Sequence, residues 1–484
     1  MINKRHVMTS PMGWNSWDCY GGAVTEEIVR QNAEFMAKHL KPYGWEYIVV
    51  DIQWSEPDSL GHAYRPFSEL CVDEYGRLIP APNRFPSAAG GKGFAPLAEY
   101  VHSLGLKFGI HIMRGIPRQA AWKNCPVLGT EYTAREVANP SSVCEWNPDM
   151  HGVDPKHPGA KAYYDSIFAL YAEWGVDFIK CEGVTARDIA NPSSICGWNP
   201  DMYGLFTDNK GAQEYYDSIF ELYASWGVDY IKCDDIANTE IFPHNPYSAR
   251  KEIEMMRKAM DKCGRDMVFS LSPGPAVPEL SELYKDVAHM WRITDDFWDN
   301  WRLLYDMFSR AKTWCIHTGA GNWPDADMLP IGALRQCKNP DIRTKFTQDE
   351  HYTMMTLWSI FRSPLMIGSE MTKMDEFTMS VLTNTGILEM HKAARNAHEV
   401  WRRKSEDGEA ILWTANHAEK SGRYAALFNA GESDAEIGFD LTELELTGAE
   451  TVTDLWTGKS IPAEKTLRFN IPKHGAVALW ISEK

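Results

Sequence analysis

Carboxylates recur along this chain where short buried strands should end. They are Asp51, Asp234, Asp235, Asp295, Asp296, Asp325 and Asp327. Because an unpaired buried carboxylate is costly, acids at the ends of buried strands indicate a site rather than a solvated surface. The sequence has no metal motif and no phosphate-binding loop. Paired carboxylates then favour glycoside hydrolysis, in which one acid attacks the anomeric carbon and the other protonates the leaving oxygen.

Cations and aromatic residues accompany these acids. Lys232 lies two positions before Asp234, on the same face of the strand, where its charge would keep a nucleophilic carboxylate ionised. Arg292 similarly precedes Asp295 and Asp296; the alternative interpretation is that it pairs with a helix acid. The 19 tryptophans favour a carbohydrate site, because an indole face packs against the C–H face of a sugar. A large aromatic core would explain them as well.

The elements that position these residues alternate between strand and helix from residue 8 to about 390. The strands predicted here are Tyr47–Asp51, Phe108–Ile112, Tyr230–Cys233, Val268–Leu271, His289–Arg292 and Leu365–Ile367. Amphipathic stretches such as Glu26–His39 and Ala249–Lys262 predict helices between them. Repeated βα units predict an α/β fold, a (β/α)₈ TIM barrel. An open doubly wound sheet is the alternative, but no Gly-x-Gly-x-x-Gly follows a strand.

The composition changes near residue 395. Short β-rich segments separated by turn residues follow: Ala410–Thr414, Tyr424–Phe428, Glu436–Phe439, Glu450–Asp454 and Ala476–Ile481. They predict an antiparallel β-sandwich. We therefore expect a catalytic barrel over residues 1–394 and a β-sandwich over 395–484.

A tandem duplication lies inside the barrel region. Residues 133–184 and 185–236 align without a gap, and 33 of the 52 positions are identical. The strand of copy two leads into Asp234 and Asp235, whereas copy one has Glu182 and Gly183. Because closure of eight strands fixes their tilt and shear together, a ninth cannot simply be added. We expect copy two to supply the barrel strand and copy one to pack outside, near the rim.

Five motifs in this order resemble glycoside hydrolase family 27. They are Pro11-Met-Gly-Trp-Asn-Ser-Trp17, Tyr47-Ile-Val-Val-Asp51, Ile231-Lys-Cys-Asp234, Trp291-Arg-Ile-Thr-Asp-Asp296 and Asn322-Trp-Pro-Asp-Ala-Asp-Met328. The family holds α-galactosidases, α-N-acetylgalactosaminidases and relatives such as β-L-arabinopyranosidases. The resemblance covers nearly the whole chain, and only the 52-residue duplication is foreign to it.

The resemblance implies a retaining hydrolase that works by double displacement. Asp234 matches the nucleophile of the family and Asp296 its acid/base. Arg292 matches an arginine that holds the 2-substituent of the sugar. Further sugar-binding positions are matched by Trp17, Asp51, Lys232 and Asp327. No metal or organic cofactor is implied.

Two departures from the family pattern bear on the sugar. Most galactosidases of the family carry Asp-Asp after the second strand, where this chain has Asp51-Ile52. Ile52 cannot accept a hydrogen bond from a hydroxymethyl group, which favours β-L-arabinopyranose, a sugar that lacks this group. Ser272 stands where galactosidases carry a glutamate that contacts the 2-hydroxyl. A small residue there leaves room for the substituent of an α-N-acetylgalactosaminide.

Charge and hydropathy exclude other classes of partner. The net charge of −17 argues against nucleic acid or an anionic membrane as a partner. The N-terminus has no apolar region of a secretory signal, so we expect a cytoplasmic enzyme. Its oligomeric state stays open, with a homo-oligomer as one option.

Three functions remain to be distinguished. The leading hypothesis is an exo-glycosidase of the α-galactosidase type that acts on oligosaccharides or glycosides. The second changes only the sugar, to a β-L-arabinopyranoside or an α-N-acetylgalactosaminide. The third is a carbohydrate-binding protein in which the duplication has disabled catalysis.

Overall fold

The computed structural model describes most of the 484-residue chain. The described residues are 9–113, 115–143, 147–154, 157–182, 190–196, 199–205, 210–225, 227–233, 250–272, 275–404 and 407–483. Within these ranges, no helix combines the length and the apolar character that a membrane crossing requires.

Nine parallel strands form the central sheet of the described residues. In chain order they are β1 Met12–Asn15, β2 Tyr47–Val50, β3 Lys107–Met113, β4 Phe178–Glu182, β5 Tyr230–Cys233, β6 Val268–Leu271, β7 Met290–Arg292, β8 Trp323–Asp325 and β9 Leu365–Ile367. Each strand pairs with its neighbour in the chain from β1 to β8, and β9 lies beside β1. Leu329, just after β8, forms a parallel bridge to Ile367 of β9 and thereby closes the sheet.

This closed sheet confirms the TIM-barrel architecture, and all six strands predicted from the sequence are present. The strands alternate with helices that cover the sheet. The helices are Trp17–Tyr20, Glu26–Phe35, Ala95–Ser103, Arg118–Lys123, Ala134–Val137, Pro158–Glu173, Lys210–Ser225, Arg250–Cys263, Ser281–Val287, Trp301–Trp314, Gln348–Phe361, Glu376–Leu382 and Thr385–Ala393. The helix predicted to end at His39 ends at Phe35 and continues as a π-helical segment, Met36–Leu40.

Both copies of the duplicated unit contribute a strand to the barrel. Strand β4, from copy one, pairs with β3 on one side and with β5, from copy two, on the other. The two copies share one register, in which Lys180 lies opposite Lys232. The prediction that copy one packs outside the barrel is therefore wrong, whereas the prediction that copy two supplies a barrel strand is confirmed.

The lack of a side chain at Gly109 leaves room for a residue of the extra strand. Gly109 of β3 pairs with Phe178 of β4, and a Cβ atom at position 109 would lie 2.7 Å from the Phe178 ring. The missing side chain thus makes room for an aromatic ring from the inserted strand. Phe178 packs in a buried cluster with Val49, Tyr230 and Met290 inside the barrel.

The C-terminal region forms the predicted antiparallel β-structure. Its strands are β10 Ala394–Lys404, β11 Glu409–His417, β12 Gly422–Asn429, β13 Ala435–Asp440, β14 Ala449–Asp454, β15 Ser460–Ile461, β16 Thr466–Ile471 and β17 Ala476–Glu483. Six of them form one sheet in the order β10-β11-β12-β17-β14-β15, and β13 pairs with β16. The first strand and the short β15 and β16 were not predicted from the sequence.

The barrel and the C-terminal sheet share one core. Phe308, on helix Trp301–Trp314, packs edge to face against Phe428 of β12 with 4.9 Å between ring centroids. Trp301 of the same helix stacks on His474, and the hydroxyl of Thr353 donates to the His474 carbonyl at 2.6 Å. The buried apolar cluster of the barrel therefore continues into one face of the C-terminal sheet.

Candidate active site

A cavity opens at the C-terminal ends of the barrel strands, where TIM barrels carry their sites. Its volume is about 990 Å³, including the open mouth. Six of the nine candidate catalytic and sugar-binding residues line it: Trp17, Asp51, Lys232, Arg292, Asp296 and Asp327. The cavity continues into the barrel, where Tyr47, Phe178, Tyr230 and Met290 form its apolar wall.

The other three candidates lie elsewhere. Asp234, matched to the nucleophile, lies outside the described residues, although strand β5 ends at Cys233, immediately before it. Ile52 is buried beside Asp51 and lines a separate, neighbouring cavity together with His111 and Asn147. Ser272 is buried, its backbone N–H donates to the Cys233 carbonyl at 2.8 Å, and it does not line the main cavity.

Arg292 is a buried cation that pairs with two of the aspartates lining the cavity. Its side chain is only 3% exposed, and its Nη1 lies 2.9 Å from Oδ1 of Asp327. Its Nη2 lies 3.4 Å from Oδ1 of Asp296. Asp296 is 74% exposed and stands at the mouth, whereas Asp327 is buried. A buried guanidinium of this kind is stable because carboxylates pair with it, and it holds the position of Asp296 relative to the deeper acid.

Asp327 adopts a backbone conformation that is uncommon for its type. Its φ angle is +75°, in the left-handed region that costs free energy for residues other than glycine. Three contacts hold it there: its N–H donates to Asp325, its Oδ2 accepts from the Phe297 N–H at 2.7 Å, and Oδ1 pairs with Arg292. Strain supported in this way is typical of functional sites.

Asp51 is held by several polar groups at the wall of the cavity. Its side chain is 2% exposed, Nδ2 of Asn15 donates to its Oδ2 at 3.0 Å, and Nδ1 of His111 lies 2.7 Å from its Oδ1. The Ile52 N–H also donates to Oδ1, and the Asp51 N–H donates to the hydroxyl of Ser16. These contacts compensate the burial of the carboxyl group and fix its orientation toward the cavity.

Two further buried acids face the same cavity with shifted pKa values. Burial, together with the neighbouring charges of Asp327 and Asp296, raises the pKa of the Asp18 carboxyl well above its usual range. Among the described residues, Oδ2 of Asp18 has no hydrogen-bond partner. Burial also raises the pKa of Asp325, against the opposing charges of Arg292 and Lys232. Within the described residues, no group of three or more His, Cys, Asp or Glu side chains could hold a metal ion.

Sequence reasoning missed three residues that shape the cavity or support its walls. Asp18 follows Trp17 directly, and His111 occupies an inward position two residues after Gly109 on β3. Trp298 follows Asp296 by two residues and lines the mouth. The sequence signal for Trp298 was its proximity to a candidate acid. His111 had no such signal, because an isolated histidine in a strand is more often a core residue.

Two protein-family models match this chain. The model described as alpha galactosidase A matches residues 9–155 and 203–393, and the model of the alpha galactosidase C-terminal beta sandwich domain matches residues 395–481. The chain belongs to glycoside hydrolase family 27. The stretch of this family-27 chain that the first model skips, residues 156–202, falls inside the duplicated region.

Solved structures resemble this family-27 chain over nearly its full length. A β-L-arabinopyranosidase from Geobacillus stearothermophilus is 45% identical, with 99% of this chain and 97% of that chain covered and a TM-score of 0.75. A proposed α-N-acetylgalactosaminidase from Bacillus halodurans is 42% identical, with 98% of each chain covered and a TM-score of 0.70.

Curated relatives of the family-27 chain are more distant. Alpha-galactosidase D of Emericella nidulans is 24% identical over 98% of this chain, which spans 56% of the length of that protein. Alpha-galactosidase 3 of Arabidopsis thaliana is 25% identical, with 95% of this chain and 78% of that protein covered. Together with the family match, these relatives identify the chain as a glycoside hydrolase of the α-galactosidase type.

Proposed function

We propose that the protein is a retaining exo-glycosidase that removes terminal α-D-galactosyl or configurationally related residues by double displacement. Asp234 is the proposed nucleophile and Asp296 the acid/base. Trp17, Asp51, Lys232, Arg292 and Asp327 bind the sugar. The observation that carries the proposal is the convergence of these five residues and Asp296 on one cavity at the C-terminal ends of the strands.

The site is buried at its inner end and exposed at its mouth, which fits an enzyme that removes the terminal sugar of a saccharide. Asp51 and Arg292 are almost fully buried at the inner part of the cavity, whereas Asp296 stands exposed at its mouth. A terminal sugar placed against the buried groups would have its leaving oxygen near Asp296, where protonation is needed. A retaining mechanism further requires the carboxyl groups of Asp234 and Asp296 to lie about 5–5.5 Å apart.

Among the candidate sugars, Ile52 favours β-L-arabinopyranosides. Its buried, apolar side chain follows Asp51 directly and offers no hydrogen bond to a hydroxymethyl group. The similarity to the Geobacillus stearothermophilus β-L-arabinopyranosidase supports the same sugar. Neither Ile52 nor Ser272 lines the main cavity, so the preference for the arabinopyranoside over the α-N-acetylgalactosaminide rests on the apolar character of Ile52 and on this similarity.

Hydrolysis of three p-nitrophenyl glycosides tests the function. They are the α-D-galactopyranoside, the β-L-arabinopyranoside and the α-N-acetyl-D-galactosaminide. We expect turnover of the first two, with the arabinopyranoside preferred. A folded protein that binds these sugars and hydrolyses none of the three would contradict the proposal and favour the carbohydrate-binding alternative.

A substitution at Ile52 tests the choice of sugar. In Ile52→Asp, a carboxylate beside Asp51 could accept a hydrogen bond from a hydroxymethyl group. We expect the ratio of kcat/KM for the α-D-galactopyranoside to that for the β-L-arabinopyranoside to rise at least tenfold, equivalent to about 1.4 kcal/mol. Ile52→Val, which stays apolar, is the matched control. An unchanged ratio in Ile52→Asp would show that this position does not set specificity.

A further inference from the structure

Contacts between aromatic rings link Trp17 and Trp298, two residues that line the cavity. The rings of Trp17 and Tyr64 stack with 6.0 Å between centroids and 22° between planes. His62 meets the Trp17 ring edge to face at 5.3 Å and approaches Trp298 at 6.2 Å. We call Tyr64, His62 and Trp298 the aromatic rim. Neither the sequence motifs nor the proposed reaction assigns them a role.

Trp298 is the best supported member of the aromatic rim. The guanidinium of Arg335 lies over its ring, 4.8 Å from the centroid. Both terminal nitrogens of Arg335 contact the Asp299 carboxylate, at 2.6 and 3.2 Å, and Asp299 is 1% exposed. The backbone N–H of Arg335 donates to the Asp18 carbonyl. A buried carboxylate and a clamped arginine thus fix an indole that is itself only half-buried and lines the cavity.

The location of this indole determines which part of a substrate it can meet. Trp298 lies two residues after Asp296, the proposed acid/base, and both line the mouth. The group that leaves during glycoside cleavage must lie next to the acid that protonates it. The sugar that is cut off would occupy the inner end, beside Asp51 and Arg292. Trp298 therefore borders the space of the leaving group.

We propose that Trp298, the member of the aromatic rim that lines the cavity, forms a leaving-group subsite that holds a second pyranose ring. This inference rests on the proposed glycosidase function. A pyranose presents C–H bonds on one face, which pack well against a flat, electron-rich indole, and a ring fixed in advance loses little conformational entropy on binding. The natural substrate is then an oligosaccharide rather than a glycoside of a small alcohol.

Two glycosides with the same terminal sugar test the subsite. One is a disaccharide, and the other is the methyl glycoside, which has nothing to place on the rim. In Trp298→Ala, we expect kcat/KM to fall about five- to tenfold for the disaccharide and to change less than about twofold for the methyl glycoside. Inhibition by the free terminal sugar should be unchanged, because that sugar occupies only the inner end. Arg335→Lys, which removes the planar support, should show a smaller fall with the same pattern.

The matched control is Trp401→Ala. Trp401 is also covered by an arginine, with Arg403 3.9 Å from its ring centroid, but it lies in the C-terminal sheet. It should leave the ratio between the two glycosides unchanged. Equal losses for both glycosides in Trp298→Ala, or no loss for either, would overturn the subsite. If Trp298→Ala does not fold, Arg335→Lys answers the same question.

If the protein is not a glycosidase, the two glycosides give a result that differs from loss of the subsite. In that case the wild-type protein hydrolyses neither glycoside. The subsite is then tested by calorimetric binding of the same disaccharide to wild type and to Trp298→Ala. Weaker binding by the variant supports the subsite, and equal affinity overturns it.

Discussion

At the scale of single residues, the acidic side chains that line the cavity outnumber its cationic side chains. Asp18, Asp51, Asp296 and Asp327 interact electrostatically, and Asp18 has a raised pKa because it is buried and faces these charges. Asp18 itself has no role in the proposed reaction. Two predictions follow from these acids: one concerns their effect on protein stability, and the other concerns their effect on the rate of hydrolysis.

The first concerns the dependence of stability on pH. A carboxyl whose pKa is higher in the folded than in the unfolded state costs stability as the pH rises from its unfolded value, about 3.9, through its folded value. In Asp18→Asn, no charge can form at this position. We expect the variant to melt at a higher temperature than wild type at pH 7, with the difference vanishing near pH 4. A variant that melts lower at pH 7 would show that the ionised carboxylate is stabilising.

As a matched comparison, Asp325→Asn should also melt at a higher temperature than wild type at pH 7, but by a smaller margin than Asp18→Asn. Burial raises the pKa of Asp325 as well, but the charges of Arg292 and Lys232 oppose this rise, so ionisation of Asp325 costs less stability than ionisation of Asp18.

The second prediction concerns Asp296. In Asp296→Ala, kcat/KM should fall by about 10²–10⁴ for glycosides with poor leaving groups, and far less for activated aryl glycosides that need little protonation. A series of aryl glycosides of increasing leaving-group pKa measures this dependence. Asp306→Ala, an exposed acid on helix Trp301–Trp314, is the control. Equal losses across the series would contradict the role of acid/base.

At the scale of elements, the duplicated unit is the main anomaly. Both copies place a strand in the barrel in the same register, and their loops form comparable antiparallel hairpins, Ala138–Val143 with Met150–Val153 and Ala190–Cys196 with Asn199–Leu205. The family model nevertheless matches the equivalent of only one unit, made up of the loop of copy one and the strand of copy two. The extra strand adds Phe178 to the wall of the cavity.

Excision of residues 156–207 tests whether the extra strand is dispensable. Position 155 aligns with position 207 in the repeat, so the deletion joins the two copies in register and removes one full unit. We expect a folded protein that melts at or above the temperature of the full chain and keeps its glycosidase activity, because eight strands satisfy the usual relation between strand number, tilt and shear.

Excision of residues 156–181 is the matched control. It starts at the same position and removes helix Pro158–Glu173 and nearly all of β4, so it also leaves eight strands but keeps the loops of both copies. We expect it to fold and to melt at a lower temperature than the 52-residue excision, because the loop of copy one then has no strand of its own. If the 52-residue excision yields an unfolded or inactive protein, the ninth strand is integral to this barrel.

At the scale of the whole molecule, the barrel and the C-terminal sheet behave as one structural unit because their cores are continuous. Phe428→Ala removes a buried ring that contacts Phe308 of the barrel and should cost about 3–5 kcal/mol. The adjacent Leu427 faces the interior of the C-terminal sheet instead, and Leu427→Ala should cost about 2–5 kcal/mol. Calorimetry should show one transition, lowered by either variant. Two transitions, of which the barrel transition is unchanged by both, would contradict this coupling.

The sequence by itself determined the local features of this protein. Buried runs such as Tyr47–Val50 and Tyr230–Cys233 form strands because their apolar residues leave few alternatives, and the acids that follow them mark the C-terminal end of the barrel. The motifs of the family predict that Arg292, Asp296 and Asp327 share one site, and all three line the cavity.

Only the tertiary structure decided the features that depend on pairing across the chain. The sequence of the repeat does not state which copy enters the barrel, because both strands have the same apolar pattern. In the structure, the space beside Gly109 accommodates Phe178 of copy one, and both strands enter. His111 and Asp51 are 60 residues apart in sequence, and Arg335 supports Trp298 from a distant segment. Such contacts arise from the closure of the sheet and the packing of its loops, which no local pattern encodes.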